Sequence, residues 1–151
     1  IHGKTLEKKG DWVEAFSPQS FLVQASGPIQ VAQYLASQTC TEDSTGDPAQ
    51  IMAVASSQYR TPYAFATPKD YTEDYVTVVR PIGSQTSLDN NPLADGEFTT
   101  LAGSGYEYGY FPVADGPHNI EGDQPFGLYM YGFDGPASYG NPGGLNLIKT
   151  Q

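Results

Sequence analysis

The chain has 151 residues, 38% of them apolar and only 16% charged, and 17 acidic side chains against seven Lys and Arg leave a formal net charge of −10. That length suits one domain, residues 1–151, with a sizeable core. The acidity argues against nucleic acid and anionic membranes as partners, since both present like charge.

The 17 Gly and 12 Pro are spread along the sequence, as in a fold of short strands joined by turns. Thr5 to Phe16 reads as two short strands around a turn at Lys9-Gly10-Asp11. Phe21–Ala25 reads as a further strand after the Ser17-Pro18 break. Ile29–Ser37 alternates as a strand, with helix as the competing reading. Residues 39–47 form a polar loop, and residues 48–55 are apolar and short enough for a strand or one helical turn. Tyr63–Thr67 and Asp74–Arg80 are strands, the second with β-branched side chains in strict alternation. Residues 83–96 read as a long polar loop, followed by a short strand at 98–101. Gly105–Val113 carries Tyr106, Tyr108 and Tyr110 on one face. His118–Glu121 is a short strand, and Gly122 to Pro125 a turn. A last strand from Phe126 leads into a Gly- and Pro-punctuated loop that holds Phe133, Asp134, Tyr139 and Asn141. Strands at this spacing, with no convincing amphipathic helix, predict an all-β fold: an antiparallel β-sandwich with long loops.

No apolar run approaches the roughly 20 residues of a membrane helix, so membrane insertion is not expected. Cys40 is the single cysteine; it has no internal partner, and a buried thiol is favoured over a cysteine whose partner lies elsewhere in a longer polypeptide. The chain starts Ile-His-Gly and reads as a piece of a longer secreted or surface polypeptide.

Catalytic signals are weak, and no catalytic residue is assigned. Ala102-Gly103-Ser104-Gly105 is a turn rather than a nucleophile elbow. His118, at a turn–strand junction, is expected to make a local hydrogen bond. The acidic pairs Glu42/Asp43, Glu73/Asp74 and Glu121/Asp123 suit solvated turns better than the cleft that two catalytic carboxyls require. Two oxygen-rich loops, 43–47 and 89–97, could offer Ca²⁺ its hard ligands; the second, with Asp89, Asn91, Asp95 and Glu97, is the better candidate. Neither has EF-hand spacing, and Asx-turns account for the same residues. No cofactor is otherwise called for.

Recognition remains. Eleven residues are Tyr, a side chain whose stiff ring and polar tip suit binding surfaces. The candidate ligand-binding residues are Tyr106 and Tyr108 on the aromatic strand, and Phe133, Asp134, Tyr139 and Asn141 in the last loop. An aromatic beside an acid or amide suits a sugar. A tyrosine stripe also serves as ordinary sheet-face packing, and both readings stand.

Several segments together carry a family resemblance: GPIQVAQYLASQ (27–38), GDPAQ (46–50), YRTPYAFATP (59–68), YTEDYVTVVRP (71–81), DGPHNIEGDQPFGLYMYGFD (115–134) and SYGNPGGLNL (138–147). In these the chain resembles the C-terminal part of the IgG Fc-binding protein N-terminal domain family, in its bacterial surface-protein type. The resemblance implies an extracellular or cell-surface β-rich adhesion module without established catalytic residues. Gly135-Pro136-Ala137 stands where bulkier residues are common, which sets any shared contact there apart. The reading is a non-catalytic recognition domain that binds a glycan or cell-surface polymer at the tip of a larger surface or fibre protein, where a homotrimer is expected. The alternatives are a structural spacer and a polysaccharide hydrolase.

Overall fold

The structure, a computed structural model, describes residues 4–41 and 44–147. The acidic pair Glu42/Asp43 lies outside the described residues, and so does the start of the 43–47 loop. In chain order the strands are β1 (Ala32–Tyr34), β2 (Gln50–Met52), β3 (Arg60–Thr67), β4 (Glu73–Pro81), β5 (Thr86–Leu88), β6 (Asn91–Pro92), β7 (Thr99–Leu101), β8 (Tyr106–Val113), β9 (Gly116–Asp134) and β10 (Ala137–Pro142). Short 3₁₀ turns occupy Gln38–Cys40, Ser56–Gln58 and Asp95–Glu97. The fold is all-β, and every strand pairing is antiparallel.

The 19-residue β9 joins two sheets. Its first half pairs with β3 and β5, and β6 extends that sheet. Its second half pairs with β4 and β10, and β8 and β7 extend the other. The result is a curled, sandwich-like pair of sheets sharing one bent strand. The bend falls at Gly122–Pro125, where the sequence suggests a turn between two strands; the chain instead stays in the ladder, tied by a bond from the Asp123 amide to the Gln85 carbonyl.

The core lies between the two sheets. Tyr63 (β3), Val76 and Val78 (β4), Phe111 (β8) and Ile120, Phe126 and Leu128 (β9) are buried there, with Leu93 from the loop after β6. Burying each such side chain stabilises by about 1.5 to 3 kcal/mol. The Tyr63 hydroxyl reaches the Phe126 carbonyl at 2.5 Å, so the polar tip of a core residue is satisfied.

Other expectations need correction as well. Residues 83–96 are not one long loop, because β5 and β6 form a hairpin there. Its turn residues Asp89 and Asn90 take positive φ (49° and 66°), a conformation Asn and Asp tolerate better than most residues. Residues 137–142 are a strand rather than loop; only Gly135-Pro136 turns the chain between β9 and β10. The strands expected in 5–16 and 21–25 are absent. The turn at 8–11 does form, with the Asp11 carboxylate accepting from the Glu7 and Lys8 amides. The flanking residues find no ladder partner, however, and Trp12 and Phe16 are 78% and 95% exposed. Cys40, expected as a buried thiol, is exposed.

Candidate functional site

Strand alternation divides the β10–β9–β4–β8–β7 sheet into two faces. The inner face carries Val76, Val78, Leu128 and Phe111. The outer face is aromatic. The register sets Tyr75 opposite Tyr131, Thr77 opposite both Tyr129 and Tyr110, and Val79 opposite Tyr108. Tyr75 and Tyr131 stack at 5.7 Å, Phe133 meets Tyr131 edge-on at 5.8 Å, and Tyr108 meets Tyr110 edge-on at 5.6 Å.

Part of this face is roofed by the preceding chain. Ile51 of β2 is buried against Gly140, and the Tyr59 ring stands over Gly127. At both positions a side chain on the glycine would occupy the space the roof needs. The Val54 amide donates to the Tyr129 hydroxyl at 3.0 Å, and Tyr59 meets Tyr106 edge-on at 6.0 Å. Burial, followed by the neighbouring Tyr129, pushes the Tyr59 hydroxyl pKa far up.

The roof stops short of β8. There the tight turn at residues 17–19 approaches the β7–β8 hairpin, with Ser20 Oγ 3.3 Å from Tyr110 Oη. Between them lies a hollow of about 490 Å³, with Pro18, Gln19 and Ser20 on one wall and Thr100, Tyr108 and Tyr110 on the other. Tyr110 is 56% exposed. Two aromatic rings and several uncharged groups that both donate and accept therefore share one open depression.

The sequence-derived candidates separate. Tyr106, Tyr108 and Phe133 are on the aromatic face, but Tyr106 is partly covered by Tyr59, and Phe133 packs beside Gly46. Tyr139 and Asn141 alternate with Ser138 and so project from the opposite face. Tyr139 packs on Gly132 and Tyr71, and its hydroxyl donates to the buried Asp74 carboxylate. Burial and that carboxylate push its pKa far up. Asn141 is exposed. Asp134 accepts from the Thr72 hydroxyl at 2.5 Å. Tyr110, Thr100, Gln19 and Ser20 complete the hollow. Of these only Tyr110 carried a signal in the sequence, as the third member of its stripe.

The metal-ligand candidates are engaged within the chain. Asp89 accepts from the Asn119 amide at 2.9 Å and faces His118 Nδ1 at 2.6 Å. The Asn91 side-chain amide donates to the Asp89 carbonyl. Asp95 pairs with Arg80, and Glu97 accepts from the Ala94 amide. Among the described residues no three His, Cys, Asp or Glu side chains gather as a metal site. The acidic pairs divide in the same way: Asp74 is buried under Tyr139, whereas Glu73 is exposed beside the Tyr75 hydroxyl. His118 is buried and stacked on Phe65 at 5.2 Å, with Nε2 2.7 Å from the Ala114 carbonyl. It makes the local hydrogen bond expected of it.

The architecture defines an all-β, antiparallel sandwich that presents a partly roofed aromatic face. The family described as IgGFc binding protein matches residues 2–132, and the chain belongs to that family. The match takes in the N-terminal segment and stops before the Ser138–Leu147 stretch. No curated protein and no solved structure matches the chain. The family is one of binding proteins, and among the described residues no helix is long and apolar enough to cross a membrane.

Proposed function

We propose that this domain is a non-catalytic, extracellular recognition module that binds a glycan in the hollow between the 17–20 turn and the β7–β8 hairpin. The observation that carries the reading is the pairing of Tyr108 and Tyr110 with Gln19 and Ser20 around one open depression. A sugar ring offers a C–H face for a tyrosine ring and hydroxyls that match amide and hydroxyl partners. Tyr loses little conformational freedom on binding, having only two side-chain torsions. Membership of a binding-protein family supports recognition rather than chemistry.

The tip of a stalk-borne surface protein is the setting we infer, with three copies gathered as a homotrimer, which light scattering on the purified chain reads directly. The test of the site is a glycan array probed with the native protein and with Tyr110→Ala. The exposed ring contributes little to the fold, so the variant is expected to lose about tenfold or more in binding with a Tm within about 2 °C of the parent. Undiminished binding by the variant would remove the hollow from the account.

A further inference from the structure

The walls of the hollow carry more than a general affinity for sugars. We infer that it selects uncharged glycans and rejects sialylated, uronate-bearing and sulfated ones, with the 17–20 turn as the specificity wall; this rests on the glycan reading above and adds the ligand's chemical class.

Among the described residues, no Lys, Arg or His lines the hollow. Arg80 and His118, the buried basic side chains among the described residues, are already committed. Arg80 is paired with Glu107 and Asp95, and His118 faces Asp89. Arg60 lies 5.7 Å from the Tyr63 ring and borders a separate depression with Tyr59, Pro62 and Asn146. A carboxylate or sulfate entering the hollow would give up water for partners without charge, which is costly for an ion. It would also approach a chain whose net charge is −10, against a field felt most strongly at low salt. A sugar hydroxyl pays neither cost, because amide and hydroxyl groups can both donate to it and accept from it.

The specificity wall is set in place before a ligand arrives. Ser17 Oγ accepts from the Gln19 amide at 3.1 Å and donates to the Gln19 carbonyl at 2.8 Å, closing a local turn that fixes the Gln19 backbone. Ser20, the next residue, is the one beside Tyr110. Gln19 thus borders the hollow on a short segment anchored at both ends, which makes its side chain the place where a change of charge should change selectivity.

The experiment is an array of matched glycan sets, each core present in neutral, sialylated, uronate-bearing and sulfated form, read at about 50 and about 500 mM NaCl. The expected result is binding to neutral members, with the charged partners about tenfold weaker and the gap narrowing at high salt. Gln19→Lys is expected to raise binding of the charged forms by about tenfold relative to the neutral ones. A native preference for the charged forms would overturn the inference while leaving glycan binding intact. Selectivity unchanged in Gln19→Lys would overturn the role of the 17–20 wall. Binding to no member of any set would overturn the glycan reading itself, and this inference with it.

Discussion

Arg80 heads the largest fully buried side chains, and it is the one among them that carries a charge. It donates to Glu107 Oε1 from Nε and to Asp95 Oδ1 from an Nη atom, each at 2.7 Å, and to the Thr86 hydroxyl at 3.2 Å. Its guanidinium lies 3.5 Å from the centre of the Phe98 ring. The two acids are not equivalent. The Glu107 side chain is 11% exposed and Asp95 69%, so Glu107 suffers more from losing its partner. Arg80→Ala is expected to cost roughly 3 to 5 kcal/mol in urea unfolding, as breaking a buried pair does; a cost below about 1 kcal/mol would show that the pair is dispensable. His118 gives a pH-dependent counterpart. Both of its ring nitrogens face acceptors, so making both bonds requires the doubly protonated ring. Burial alone would lower its pKa, but the bonds to Asp89 and Ala114 outweigh burial and the net shift is upward. The Asn119 amide, then His118, holds the Asp89 pKa below its ordinary value. A raised histidine contributes fully below its ordinary pKa of about 6.5, and that contribution is lost as the pH climbs through the folded value. A lowered aspartate contributes above about pH 3.9, and that contribution is lost as the pH falls through its folded value. Thermal melts should therefore show the pair's contribution at its fullest between about pH 4 and 6.5. His118→Gln should flatten the profile on the alkaline side, and an unchanged profile would contradict this.

At the scale of elements, the β9–β10 hairpin shows how one residue of register decides a side chain's role. Tyr139 stands opposite Gly132, and the absent side chain there leaves room for its ring. Tyr139→Ala would open a cavity and leave Asp74, buried on the inner face, without its donor. The expected loss is about 2 kcal/mol or more of stability, read by urea denaturation, with glycan binding retained. Read as part of a loop, Tyr139 is a candidate ligand contact; in β10 it belongs to the fold instead. Gly and Pro there look like loop punctuation, yet only Gly135-Pro136 turns the chain. The β-branched alternation of 74–80, by contrast, was legible to within a residue at each end, since a central strand buried on one face states its own period. Phe21–Ala25 alternates as well as many strands do, but alternation sets which side chains share a face and cannot supply a neighbour to pair with. Tyr108 could be found from its stripe. Gln19, Ser20 and Thr100 could not, because the hollow joins segments about 80 to 90 residues apart, and no local pattern encodes that contact.

At the scale of the whole molecule, β9 runs through both sheets and ties them together, and the open hollow lies on the outer face rather than in the core. The site can therefore change its lining without disturbing Val76, Ile120 or Phe126, as binding surfaces carried on a rigid scaffold generally can. Its acidic surface and scarce lysine and arginine suit a module that meets uncharged partners. The measurement that reaches the central claim most directly is an amide-resolved NMR titration of the native domain with a neutral glycan taken from the array. The largest shifts are expected on Gln19, Ser20, Thr100, Tyr108 and Tyr110, with the 133–141 hairpin and the surroundings of Arg60 nearly still. Largest shifts at either of those two places, with the hollow silent, would contradict it.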